Sequence, residues 1–358
     1  MTIPADTGAD TAPTMGGACH AMLLRLAGRV PDGLLAQTRA WLATHEVELL
    51  ARAVVAGVAA AGLTLAPDDT ALLRWILETA GLDTTPLDQI VLMEDADTPV
   101  KHVFAPAAPE VMERRGDEFG PCVDLSALAM EDRADLTDEL DRAAVTAAVE
   151  LPGTVALWRS WRQPADGAPQ PAPRRVFLPA VADAESSWTT TAAFQQQLAA
   201  LGEISPQVET FGTDQLLPTY QRTARSSSAL LWTAAPSEPM RLAPVYDTVD
   251  GDDTPGFAAD RARLADIDRV VVADLLDGGA VVLSTTAYLD DVLNPGRRIP
   301  VNFRTDGFWV WNDAAAYYAR EHGIAPIAAL LDHLRSDRPR TQPDTVALFR
   351  ATAALTQP

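Results

Sequence analysis

The spacing of apolar residues changes partway along the chain, and that change limits the folds available to it. From residue 19 to about 82 the apolar side chains recur every three or four positions; beyond about 174 short, nearly continuous apolar runs replace them. Leu23, Leu26, Ala27 and Val30 form one stripe, and Leu34, Thr38, Trp41 and Leu42 a second, restarted by Pro31 and Asp32. Val47, Leu50, Val54 and Val58 make a third. Leu72, Leu73, Ile76 and Leu77 make a fourth, opened by Pro67 with Asp68 and Asp69 and closed by Gly81. Four amphipathic helices with short links predict a helical bundle. Residues 1–18 have no period and are expected to be a flexible tail.

Acidic residues crowd the start of a further expected helix, 124–150, where negative charge suits the positive end of the helix dipole. Leu157, Trp158 and Trp161 close a mainly helical domain, 19–161. Pro164, Pro169, Pro171 and Pro173 then stiffen the stretch 162–173, which reads as the linker between two domains.

An α+β domain is expected over 174–340. It begins with a strand at 175–181, a helix carrying Phe194, Leu198 and Leu201 and stopped by Gly202, a strand at 207–211, a short helix at 217–224 and a strand at 229–234. Two hairpins follow. One joins 269–275 to 280–285 across Asp277, Gly278 and Gly279; the other joins 299–304 to 308–311 across Asp306 and Gly307. Pro300 belongs at an edge or a strand start. Asn312 caps a helix that ends at Gly323, and Pro326 opens another bearing Ile327, Leu330, Leu331 and Leu334. Residues 341–358 are a C-terminal helix or tail. The predicted class is α+β: an N-terminal helical bundle domain, then a C-terminal α/β domain with an antiparallel β-meander and two closing helices. A chain of 358 residues has room for two such domains.

The best apolar run, 53–65, is broken by glycines and falls short of the ~18 residues a membrane span needs. No cationic stretch precedes an apolar one at the N-terminus, so a cytoplasmic location is expected. The net charge of −21 repels phosphate backbones, and direct nucleic-acid binding is not expected. The same charge suits a basic protein partner, or serves only to keep the surface soluble. Cys19 and Cys122 are too few for a disulfide framework or a four-cysteine zinc site. Lys101 is the only lysine, and the abundance of Ala, Arg, Asp and Pro reads as GC-rich codon usage, as in actinobacteria.

Familiar catalytic motifs are missing. Gly57 and Gly62 have the spacing of a phosphate loop but lack its Lys-Ser/Thr and lie in a helix; Ser226, Ser227 and Ser228 lack the glycines of a nucleophile elbow. Cys19 and His20 are adjacent, which suits a tetrahedral metal site poorly. His322 and His333 are separated by the helix breakers Gly323 and Pro326. Asp247, Asp250, Asp252 and Asp253 lack calcium-loop spacing and read as a solvated acidic loop. Arg304 and Asp306 could form a polar pair around Thr305, although an aspartate before glycine is ordinary turn chemistry. No cofactor and no metal is expected.

One segment stands apart: Thr305, Asp306, Gly307, Phe308, Trp309, Val310, Trp311 and Asn312, followed by Tyr317, Tyr318 and Pro326. Alternation puts Trp309 and Trp311 on one strand face, Phe308 and Val310 on the other. Such a strand is buried on both faces or uses one of them to bind. Over residues 305–326 the pattern resembles the hairpin and helix of immunity proteins from bacterial polymorphic and contact-dependent toxin systems. The resemblance implies a non-catalytic cytoplasmic protein that binds a basic toxin or effector. The contact residues expected on this reading are Asp250, Asp252, Asp253, Asp306, Trp309, Trp311 and Tyr317. Two alternatives stand beside it: an enzyme with an unfamiliar site around Arg304, Asp306, His322 and Glu321, or an accessory subunit whose helical bundle docks onto a larger assembly.

Overall fold

The computed structural model describes residues 14–94, 99–129, 131–164, 172–235, 240–249, 255–336 and 341–357. The class is α+β, with helices dominating the first hundred residues and sheet-and-helix structure after them. Two compact units divide the chain: Met1–Gly116 with Leu128–Ala235, and Asp117–Ala127 with Pro236–Pro358.

In the first unit, the four expected helices are α1 (Met15–Leu26), α2 (Asp32–Ala43), α3 (Val47–Ala60) and α4 (Pro67–Thr79). The expected tail ends sooner than its 1–18 span, because Thr14 caps α1 by accepting from the Gly17 amide at 3.1 Å. Then come β1 (His102–Ala105) and α5 (Pro109–Arg115); the next strand, β2 (Val123–Asp124), belongs to the second unit. The helix expected over 124–150 is shorter: α6 is Glu139–Glu150, and Glu131, Asp132 and Asp135 precede it. Its start is set by a capping box in which Asp138 accepts from the Asp141 amide at 3.0 Å and Asp141 accepts from the Asp138 amide.

Leu157, Trp158 and Trp161 lie not in a helical domain but on β3 (Thr154–Pro164), the central strand of a sheet. It runs antiparallel to β4 (Arg174–Val181), to β7 (Ala229–Thr233) and to β1, pairing Trp158 with Leu178 and Leu230, and Phe104 with Arg162. Between β4 and β7 the chain forms α7 (Ser187–Ala200), β5 (Gln207–Val208), β6 (Phe211–Gly212) and α8 (Thr219–Arg225), with β5 and β6 parallel to β4. Most of β3 is buried, and its alternation is therefore absent from the sequence. The proline-rich stretch joins two neighbouring strands of this one sheet, with Arg162 opposite Arg174, and does not separate the two units.

The second unit contains β8 (Arg241–Leu242), β9 (Thr248–Val249), β10 (Pro255–Gly256), α9 (Asp266–Asp277), β11 (Ala280–Asp290), β12 (Arg298–Thr305) and β13 (Trp309–Asn312). These are followed by α10 (Asp313–His322), α11 (Ala328–Arg335) and α12 (Thr345–Thr356). Its main sheet has the order β11-β12-β13-β8, antiparallel except for the β13–β8 pair. The first expected hairpin is overturned, because residues 269–275 belong to α9. Asp266 and Asp268 occupy its first turn, and Val272, Ala273 and Leu276 face the core. The Asp-Gly-Gly signal has another cause: Gly278 keeps φ −71°, and a Cβ on Gly279 would come within 2.4 Å of the Trp311 ring. Close packing, not a tight turn, requires glycine there.

The second hairpin is as expected, with Gly307 at φ +94° between β12 and β13. Pro300 sits near the start of β12, opposite Tyr288 and beside a register shift, before β13 joins. The Asn312 side chain accepts from the Ala314 amide at 2.8 Å to cap α10, and Gly323, at φ +64°, ends it. The C-terminal segment is helical: Asp344 caps α12, and Arg350 donates to Asp124 at 2.8 Å. Among the described residues no helix is long and apolar enough to cross a membrane.

Candidate functional site

The β12–β13 hairpin places the expected contact residues, and it places the two indoles inward. Trp309 and Trp311 are 5% and 1% exposed, packed in a core cluster with Val272, Leu276, Ala319, Leu330 and Leu334. The Trp311 Nε1 donates to the Leu276 carbonyl at 3.0 Å. The strand face expected to bind a partner is covered by α9 and α11, and α9 is the helix that the valine run disguised as a strand. Both indoles are core residues, which corrects their assignment as contact anchors. Phe308, just before β13, is the exposed aromatic of this hairpin.

Asp306 is half-buried, and each of its carboxylate oxygens has a partner. Its Oδ1 accepts from the Phe308 and Trp309 amides at 3.0 Å each, and its Oδ2 lies 2.5 Å from His333 Nε2. Tyr317 is half-buried and donates its hydroxyl to Asp291 Oδ2 at 2.9 Å. His322 Nε2 lies 2.8 Å from the same oxygen, and the Leu293 amide donates to Oδ1. Burial pushes the Asp291 carboxyl up, but the bonds from His322, Leu293 and Tyr317 outweigh it and hold the group below the usual carboxylate range. Asp250, Asp252 and Asp253 lie outside the described residues. Asp247 accepts from the Ala258 amide and pairs with Arg261.

The alternative grouping of Arg304, Asp306 and His322 is not assembled, because each is bound elsewhere. Arg304 donates to Asp313 at 2.7 Å and to the carbonyls of Asp277 and Gly279, pinning the end of α9 to the start of α10. Asp306 holds His333, and His322 holds Asp291. Glu321 is exposed beside His322. Two aspartate–histidine pairs therefore replace the single expected cluster. Neither Asp291 nor the pairing of His333 was singled out from sequence, since the partners are 31 and 27 residues apart. Among the described residues no group of three or more His, Cys, Asp or Glu side chains is arranged to hold a metal ion.

The surface that sequence reasoning missed lies on α9. Ile267, Val270 and Val271 occupy one helical stripe and are 79%, 54% and 52% exposed, although the opposite stripe is core. Acids surround it, each in an ion pair: Asp266 with Arg269, Asp268 with Arg335, and Asp274 and Asp277 with Arg320. On β11, Val281 and Leu283 are also exposed. The i, i+3, i+4 spacing of Ile267, Val270 and Val271 was present in the sequence, masked by the β-branched run.

No known family model matches the chain, and no curated protein or solved structure resembles it closely enough to lend it a fold or a role.

Proposed function

We propose that this is a protein-binding protein that docks its partner on the exposed face of α9. The observation that carries the reading is the apolar stripe of Ile267, Val270 and Val271, exposed on a helix whose other face is already packed. Isolated apolar residues are normal on surfaces, but three in helical register make a patch of the kind that marks an interaction site. The chain's net charge of −21 favours a partner that is apolar at its centre and basic at its rim. A basic toxin or effector of the kind implied by the immunity-protein resemblance fits that description.

The test uses the purified full chain as bait in lysate of the native host, beside Ile267→Asp and Val271→Asp. Both substitutions fall on exposed positions, and circular dichroism of each variant should match that of the unaltered chain. A partner retained by the unaltered chain, lost from both variants and weakened by salt supports the reading. Equal retention by all three chains removes α9 as the docking surface.

A further inference from the structure

A cavity of about 310 Å³ lies in the second unit beside the Asp306–His333 pair, at the lower end of the ~300–1,000 Å³ range of small-ligand sites. Its lining includes Asp274, Leu275, Asp306, Phe308, Trp311 and His333, with no lysine or arginine among the described lining residues. The Asp306 Oδ2 lies 2.5 Å from His333 Nε2. The turn amides of Phe308 and Trp309 hold the carboxylate in place, so the pair is set in position before any ligand arrives. Arg320 shares Asp274 from its own helix, and Arg304 occupies the carbonyls of Asp277 and Gly279. What the cavity offers is therefore the carboxylates of Asp274 and Asp306, an aromatic ring at Phe308 and apolar surface at Leu275.

We propose that this cavity binds the head of an organic cation, an ammonium or guanidinium group carried on a short apolar body. A carboxylate supplies charge-assisted hydrogen bonds to such a head, and an aromatic face adds cation–π attraction. The negative field of a chain with net charge −21 enriches cations at its surface and repels anions. The cation has two possible sources: a free small amine, or an arginine or lysine side chain of another protein. The proposal stands on the cavity and the Asp306–His333 geometry, and does not depend on α9 as a docking face.

Titration of the full chain, followed by NMR or calorimetry, tests it with four probes: agmatine, phenethylammonium, the anion phenylacetate, and a short capped peptide with one arginine. Asp306→Asn serves as the control, since its amide oxygen can still accept from the Phe308 and Trp309 amides while its charge is gone; His333→Gln is the second variant. Saturable binding of agmatine or phenethylammonium, at least tenfold weaker in Asp306→Asn and in His333→Gln, supports the site and points to a free amine. Saturation by the peptide alone, with the same loss, supports it and points to a protein side chain. Phenylacetate binding as well as the cations, no saturable cation binding, or cation binding unchanged in both variants overturns it. Capture of a partner on α9 is read in a separate experiment, so the two ideas fail independently.

Discussion

Arg39 on α2 and Glu209, 170 residues away, are joined by a 2.6 Å hydrogen bond between an Nη2 and an Oε2 with both side chains buried. Gln221 donates its amide to the same oxygen at 2.8 Å and to the Leu24 carbonyl at 2.8 Å, so the carboxylate ties α2 to α8 and Gln221 carries the link on to α1. A buried pair adds little by itself, but removing one partner strands a charge at a cost of about 3–5 kcal/mol. Arg39→Met or Glu209→Gln should lower the unfolding free energy measured by urea titration by an amount in that range. The double change Arg39→Met/Glu209→Leu should recover much of the loss. A small effect from the single changes would mean that the pair is not sealed from water.

His20 is buried on α1, with its Nε2 2.8 Å from the Thr210 carbonyl. Burial, aided by nearby Arg39, pushes its pKa down to about 4, whereas the unfolded chain titrates near ~6.5. Between those values the unfolded chain takes up a proton that the native ring refuses. Stability should therefore fall as pH drops from about 6.5 toward about 4, and should be insensitive to His20 above that window. Urea midpoints at pH 7 and pH 4.5 measure this, and His20→Gln should show a flatter dependence.

Gly278 and Gly279 distinguish a helix end from a hairpin turn. Gly279→Ala drives a Cβ into the Trp311 ring and should cost about 1–3 kcal/mol through overpacking. Gly278→Ala, at a φ of −71° with its nearest contact at 3.3 Å, should cost clearly less. Were 277–279 a tight turn with positive φ, Gly278 would be the costly position. Thermal melts of the two variants decide between the orders.

The legible parts of the fold are those whose signals are local. The four N-terminal stripes, the Asp306-Gly307 turn, the Asn312 cap and the Gly323 stop each state their structure within a few residues. Illegible parts depend on what packs against them. Val270, Val271 and Val272 have strand propensity, and only the packing of Leu276 and Ala273 against the indoles makes that run a helix. Strand β3 shows no alternation because both its faces are covered. The prolines between β3 and β4 look the same in sequence whether they separate domains or strands. At the candidate site the aromatic run was visible and its burial was not, since burial followed from the misread α9. The pairing of Asp306 with His333, and of Asp291 with His322, was set by the tertiary fold alone.

The exposed stripe of α9 carries the functional account, and capture by purified chain with Ile267 and Val271 intact or replaced by aspartate examines it most directly. A partner of basic character should be retained by the unaltered chain, released by added salt and absent from both variants. Retention of the same partner by Ile267→Asp and Val271→Asp, with folding unchanged, would contradict it.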